Sequence, residues 1–241
     1  MLCLAANALA AIPLITDDTG TQGKDKFQFE LLGEYGRDEG ERVTVSSSNF
    51  VATLTYGVID PVDIILSIPY QYSPAKDSES VVKGNGISDS AIEAKWRFYE
   101  KDRVSFALKP GFTLPVGDEQ KGLGAGRVTY YLYFITSKEI SPWAIHANLA
   151  YFRNENTVDQ RKNIWHASFA STVEVVENLK LAGDIGVRSN PDKSSKTPPA
   201  YVLGGLIYSL NNDLDVGLGV KGGLSRPEAD IAVRGGITWR F

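Results

Sequence analysis

Cysteine is nearly absent: Cys3 is the only one in 241 residues, and the only two histidines are His146 and His166. No Cys/His group has the spacing of a metal site, so neither a metal nor a cofactor is expected. No run of about 18 apolar residues exists, which excludes a membrane-spanning helix. There is no basic block and the net charge is -4, so nucleic acid is not an expected partner. The mean hydropathy, -0.15, does not announce a membrane protein. It does not argue against a membrane β-barrel either, because barrel strands alternate lipid-facing and lumen-facing residues and the average cancels.

Cys3 lies in the apolar stretch 1–11, which reads as the remnant of a secretory signal with small residues around Asn7 to Ala10. The positive start of such a signal is missing. Its removal leaves no cysteine, which suits export without disulfides. Residues 12–25 are polar and turn-rich and read as a lead-in without strand character. The barrel is expected over 26–241.

What the chain does have is 11 Tyr, 10 Phe, 4 Trp and 23 Gly, a composition that favours strands. The closing stretch, 228–241, is the clearest of them. One parity carries Ile231, Val233, Ile237, Trp239 and Phe241, the other Asp230, Arg234, Thr238 and Arg240. A period of two with this contrast is a strand with one apolar and one polar face. Comparable alternation recurs along the chain and predicts twelve strands. The intervening segments alternate long (37–44, 73–86, 115–126, 153–163, 189–199) with short (59–61, 100–102, 137–142, 177–178, 211–212). Outer-membrane barrels sort their connections in this way, with long extracellular loops and short periplasmic turns. A soluble sandwich or a soluble ligand-binding barrel has no reason to do so.

The outward parity adds a second regularity. Trp96, Trp143, Trp239 and Phe241 fall near the short-turn rim and Trp165 near the long-loop rim, with Ala, Leu, Ile and Val between. Two aromatic belts around an aliphatic band match the two interfaces of a membrane. The expectation is an all-β, transmembrane, antiparallel up-and-down barrel of about twelve strands in a bacterial outer membrane. Strand one must then pair with the closing strand, and outer-membrane lipid and lipopolysaccharide should surround the molecule.

The inward parity places Glu30, Glu34, Asp63, Glu93, Lys95, Arg97, Lys109, Arg127, Asp184, Arg188, Asp215, Lys221, Arg234 and Arg240 in the lumen. Such charges cannot stay unpaired in a dry core. The interior is therefore either a water-filled path or a space braced by ion pairs, and mixed signs argue against strong ion selectivity. His146, His166 and Ser168 also face inward. Lipid hydrolysis by a Ser/His pair is not expected of them, since the two histidines fall at different heights and point away from lipid.

The run Pro13-Leu14-Ile15-Thr16-Asp17-Asp18-Thr19-Gly20-Thr21-Gln22-Gly23, followed by Lys26-Phe27-Gln28-Phe29-Glu30, resembles the start of the "meta-pathway of phenol degradation" family of outer-membrane channels. Val62-Asp63-Ile64, Gly86-Ile87-Ser88-Asp89 and Leu114-Pro115-Val116-Gly117-Asp118 extend the likeness. The resemblance implies a monomeric twelve-stranded barrel that passively admits small solutes, in some members aromatic or other apolar compounds. The closing stretch, with its apolar face and its end Trp239-Arg240-Phe241, resembles the closing strand of bacterial outer-membrane β-barrels, which implies an assembly machinery that reads it. A sealed structural or adhesive barrel is the alternative, and no enzyme is expected. Asp17 and Asp18 are expected to fold into the lumen as a plug and pair with inward Arg or Lys; the alternative is a disordered periplasmic tether.

Overall fold

The structure, a computed structural model, describes residues 12–39, 44–72 and 84–241. The signal-like stretch 1–11 lies outside the described residues. Thirteen strands are assigned: β1 (Phe27–Glu39), β2 (Thr44–Ile59), β3 (Val62–Tyr72), β4 (Asn85–Ile87), β5 (Ser90–Lys101), β6 (Val104–Leu114), β7 (Thr129–Ile140), β8 (Trp143–Asn154), β9 (Asn163–Val176), β10 (Leu179–Arg188), β11 (Ala200–Ser209), β12 (Leu214–Gly223) and β13 (Ile231–Arg240). β4 and β5 pair with successive parts of β3, Tyr70↔Ile87 and then Ser67↔Ala91, so they are two pieces of one stave. The ring therefore has twelve staves, all antiparallel to their neighbours.

Closure comes from β1 and β13, paired from Gln28↔Arg240 to Arg37↔Ile231. β2 pairs with β3 on the other side of β1, and no stave is left with an open edge. A closed ladder satisfies every strand's backbone groups internally, which a membrane interior requires.

Several boundaries differ from the sequence reading: β13, Ile231–Arg240, is shorter than the stretch 228–241, and the other differences below lengthen strands. Arg37 to Glu39 and Thr44 belong to β1 and β2, not to a loop. Glu100 and Lys101 finish β5, and the turn is Asp102-Arg103, with φ of 52° and 63°. Lys101 pairs with Val104 across it, a two-residue turn whose twist matches that of the strands. Residues 137 to 140 extend β7, leaving Ser141-Pro142 as the turn. Polar residues in these stretches hid strands that run beyond the apolar band.

The outer face carries the large apolar side chains. Leu149, Leu218, Tyr130 and Ile231 are half or more exposed, while inward Ala107, Ile135 and Ala170 are fully buried. β7 is apolar on both parities, and its sequence left the facing open. Tyr130, Leu132 and Phe134 face out; Tyr131, Tyr133 and Ile135 face in. Trp96 lies opposite Val62, Trp143 opposite Ile140 and Trp239 opposite Leu214, all beside short turns. Trp165 lies opposite Tyr151 near the long-loop end. An apolar surface this continuous cannot face water. The molecule is a transmembrane β-barrel of the bacterial outer-membrane type.

Candidate functional site

A segment without strand pairing inside a barrel must find partners for its own backbone N–H and C=O groups. Residues 12–25 find them on the inner wall and follow it as an arc. Leu14 packs on Ala182 of β10 and Ile207 of β11. The Ile15 and Thr16 amides donate to Asp184 Oδ2 at 2.7 and 2.8 Å, and the Thr16 hydroxyl donates to Oδ1 at 2.7 Å. Asn148 of β8 clamps Asp17 both ways: its Oδ1 accepts from the Asp17 amide and its Nδ2 donates to the Asp17 carbonyl, each at 2.7 Å. The Thr19 amide donates to Ser137 Oγ of β7 at 3.1 Å. The Gln22 amide reaches both carboxylate oxygens of Asp63 on β3, at 3.2 and 3.1 Å.

Close approach needs small residues on the wall, and inward glycines supply them. A Cβ on Gly217 would stand 1.7 Å from the Ile12 carbonyl oxygen, and one on Gly57 1.9 Å from that of Gly23. Gly205 and Gly219 make room for the Pro13 ring. Glycines in barrel strands often serve bending of the sheet; at these inward positions they make room for the arc. Outward Gly204 has nothing within 4 Å.

Charge organises the lumen into clusters. The Asp17 carboxylate lies 2.8 Å from Lys95 Nζ and 2.8 Å from Lys109 Nζ, and Lys109 also reaches Glu93 at 3.4 Å. Burial pushes the Asp17 carboxyl up, but Lys109 and Lys95 outweigh it and hold the group well below the usual carboxylate range. Asp18 behaves differently. Its side chain is fully buried, its Oδ1 accepts from the Gly20 amide at 2.6 Å, and its Oδ2 has no hydrogen-bond partner among the described residues. Lys95 reaches Asp18 through its backbone carbonyl, at 3.1 Å, and not through its carboxylate. Burial raises the Asp18 carboxyl to about 7. Of the two aspartates that the sequence brings to the lumen, only Asp17 meets its bases through the carboxylate.

Nearer the long loops, Glu34 lies between Arg234 and Lys221, and Lys221 also holds Glu228 at 2.8 Å. Arg234 Nε donates to the Pro13 carbonyl at 3.0 Å and so ties this cluster to the arc. Asp215 pairs with Arg240 at 2.7 Å, Glu30 accepts from the Thr238 hydroxyl at 3.2 Å, and Arg97 pairs with Glu100 at 3.2 Å. Arg188 is exposed toward the lumen mouth. Arg127, expected to line the lumen, instead precedes β7 and is exposed.

His146 and His166 are not brought together. His146 lies opposite Ala170 and His166 opposite Ala150, four register positions apart, roughly 13 Å at the rise of a strand. His146 Nδ1 meets Ser137 Oγ at 2.9 Å under the arc, and Ser168 Oγ has no partner among the described residues. Neither Asn148 nor Ser137 was singled out from the sequence, which put Ser137 in the short connection 137–142, whereas Ser137 belongs to β7. Their bonds to the arc have no local signal.

Two cavities flank the arc. One of about 230 Å³ lies between the arc and the inner faces of β1, β2, β3, β5 and β6. The other, about 560 Å³, opens among the upper ends of β7 to β13. Ile15 lines both.

A closed twelve-stave barrel with a lipid-facing exterior, a charged lumen and an internal N-terminal arc is an outer-membrane β-barrel of the channel type in architecture. Residues 13–241 match the model of the family described as MetA-pathway of phenol degradation, and the chain belongs to that family. Among solved structures, the chain is similar in fold to an outer-membrane channel from Pseudomonas putida F1 (TM-score 0.72, 12% identity, covering 93% of this chain and 98% of that one). It is also similar to the NanC porin (TM-score 0.61, 12% identity, 88% and 98%) and the KdgM porin (TM-score 0.56, 9% identity, 89% and 99%). A comparison with curated protein sequences finds no match.

Proposed function

We propose that this protein is a passive outer-membrane channel for small solutes, with the N-terminal arc as its constriction. The carrying observation is that Ile15 lines two cavities, one between the arc and the wall of β1 to β6 and one toward the long loops, so the lumen stays hollow where the arc does not fill it. The family and the porin-like fold of its structural relatives support the same reading. Aromatic or other apolar compounds are the proposed solutes, supported by the inward rings of Tyr131, Tyr133 and Phe152 beside the upper cavity and by the family's description. The barrel acts as a monomer, lipopolysaccharide and lipid cover the outward belts, and β13 with Phe241 is the element the assembly machinery reads.

Reconstitution in a planar bilayer tests this. The intact protein should give small, discrete conductance steps, and removing residues 12–24 should enlarge them. Unchanged steps after removal would sink the constriction. An absence of conductance together with no solute flux into liposomes would favour the sealed barrel.

A further inference from the structure

The cavity of about 560 Å³ falls within the range of small-ligand sites, roughly 300–1,000 Å³. One wall is built of rings. Tyr133 and Phe152 meet edge to face, with centroids 5.6 Å apart, and Tyr133 and His166 are 6.2 Å apart at 60°. Ile164 and Val187 continue the wall. The charged lining is unequal. Glu34 and Glu228 are both engaged, by Arg234 and Lys221. Arg188, on the same cavity, has no acidic partner among the described residues. Two acids offset two bases, and one guanidinium is left over beside the rings.

We propose that this vestibule is a binding site for a small aromatic carboxylate, with the carboxylate on Arg188 and the ring against Tyr133, Phe152 and His166. A guanidinium presents paired donors that match a carboxylate, and Arg is the residue suited to such planar recognition. Stacked and edge-on rings favour a flat apolar body over an aliphatic one. Ile15 forms part of the lining and belongs to the arc, so a ligand held here stands directly before the constriction. The site loads one solute class at the channel mouth. This inference rests on the channel reading above.

Benzoate is the probe, with acetate (charge without ring) and benzyl alcohol (ring without charge) as its controls, measured calorimetrically on the purified full-length protein. Benzoate should bind about tenfold or more tightly than either control, since it adds a hydrogen-bonded charge to what benzyl alcohol offers and a buried ring to what acetate offers, each worth about that factor. Arg188→Gln should reduce benzoate to the level of benzyl alcohol, and Arg188→Lys should retain part of the affinity. Heat-modifiable migration of each variant reports that it is folded. Equal binding of acetate and benzoate, an unchanged affinity in the folded Arg188→Gln variant, or no benzoate binding would each overturn the site. Bilayer conductance of the same preparation separates the two readings. Conductance without benzoate binding removes the site and leaves the channel; benzoate binding without conductance does the reverse.

Discussion

At the scale of single residues, the arc depends on two neighbouring aspartates in opposite situations. Asp17 joins Lys95 and Lys109. Removing one partner from a buried ion pair leaves the others uncompensated, at a cost of about 3–5 kcal/mol. Asp17→Asn should therefore lower the unfolding temperature and widen the conductance steps, and equal values for variant and parent would contradict the arrangement. Asp18 is raised to about 7, first by burial, with Lys95 pulling it down, Asp17 and Glu30 pushing it up and the Gly20 amide opposing them. A carboxyl whose folded value is raised favours the docked arc while it is protonated. That contribution declines as pH rises between about 4 and about 7 and is gone above. Amide exchange in residues 15–22 should be slower near pH 5.5 than near pH 8, after correction for the intrinsic rate. Asp18→Asn should flatten the difference, and a pH dependence that survives in it would assign the effect elsewhere.

At the scale of elements, the inner wall is shaped for the arc as much as the arc for the wall. Gly57, Gly205, Gly217 and Gly219 lie on β2, β11 and β12 at positions where a side chain would strike the arc. Gly217→Val should displace the first residues of the arc and reproduce much of the conductance gained by deleting 12–24. Gly204→Ala, on the outer face of β11 with nothing within 4 Å, should leave conductance unchanged and stability within about 0.5 kcal/mol. If the two variants conduct alike, the glycines serve only the curvature of the sheet. The alternation of hydrophobicity makes most strand facings readable, but β7 is apolar on both parities and its facing is decided by its neighbours. Inward Ile135 meets Asn148 on β8, another inward residue.

At the scale of the whole molecule, the outer surface is a solvent-facing problem solved by lipid. All four tryptophans point outward and are about half exposed, three beside short turns and Trp165 near the long loops. Aromatic rings of this kind favour the headgroup region. In liposomes, bromine near the top of the acyl chain should quench tryptophan fluorescence more than bromine at the chain end; stronger quenching from the bilayer centre would place the belts wrongly. The closed ladder also predicts slow, cooperative unfolding, because opening any one stave exposes unpaired backbone groups to hydrocarbon.

The sequence by itself determined the class of molecule, the number of staves, the pairing of β1 with β13 and most of the sorting of connections, the exception being the one between β1 and β2, which at four residues is no longer than the one between β11 and β12. These follow from a period of two, from turn residues and from the need to close a sheet in lipid, all local or topological constraints. It also placed Glu34, Lys95, Lys109, Asp184, Lys221 and Arg234 on the inner face. Their partnerships were decided only by the tertiary structure. Asp17 meets Asn148 across 131 residues of chain, and Pro13 meets Arg234 across 221. Alternation fixes which way a side chain points, but which charge it meets depends on the registers of all twelve staves and on where the arc crosses them. That is why the Asp18 carboxylate could be expected to pair with a base and is instead buried, with one oxygen lacking a hydrogen-bond partner among the described residues and Lys95 on the backbone carbonyl.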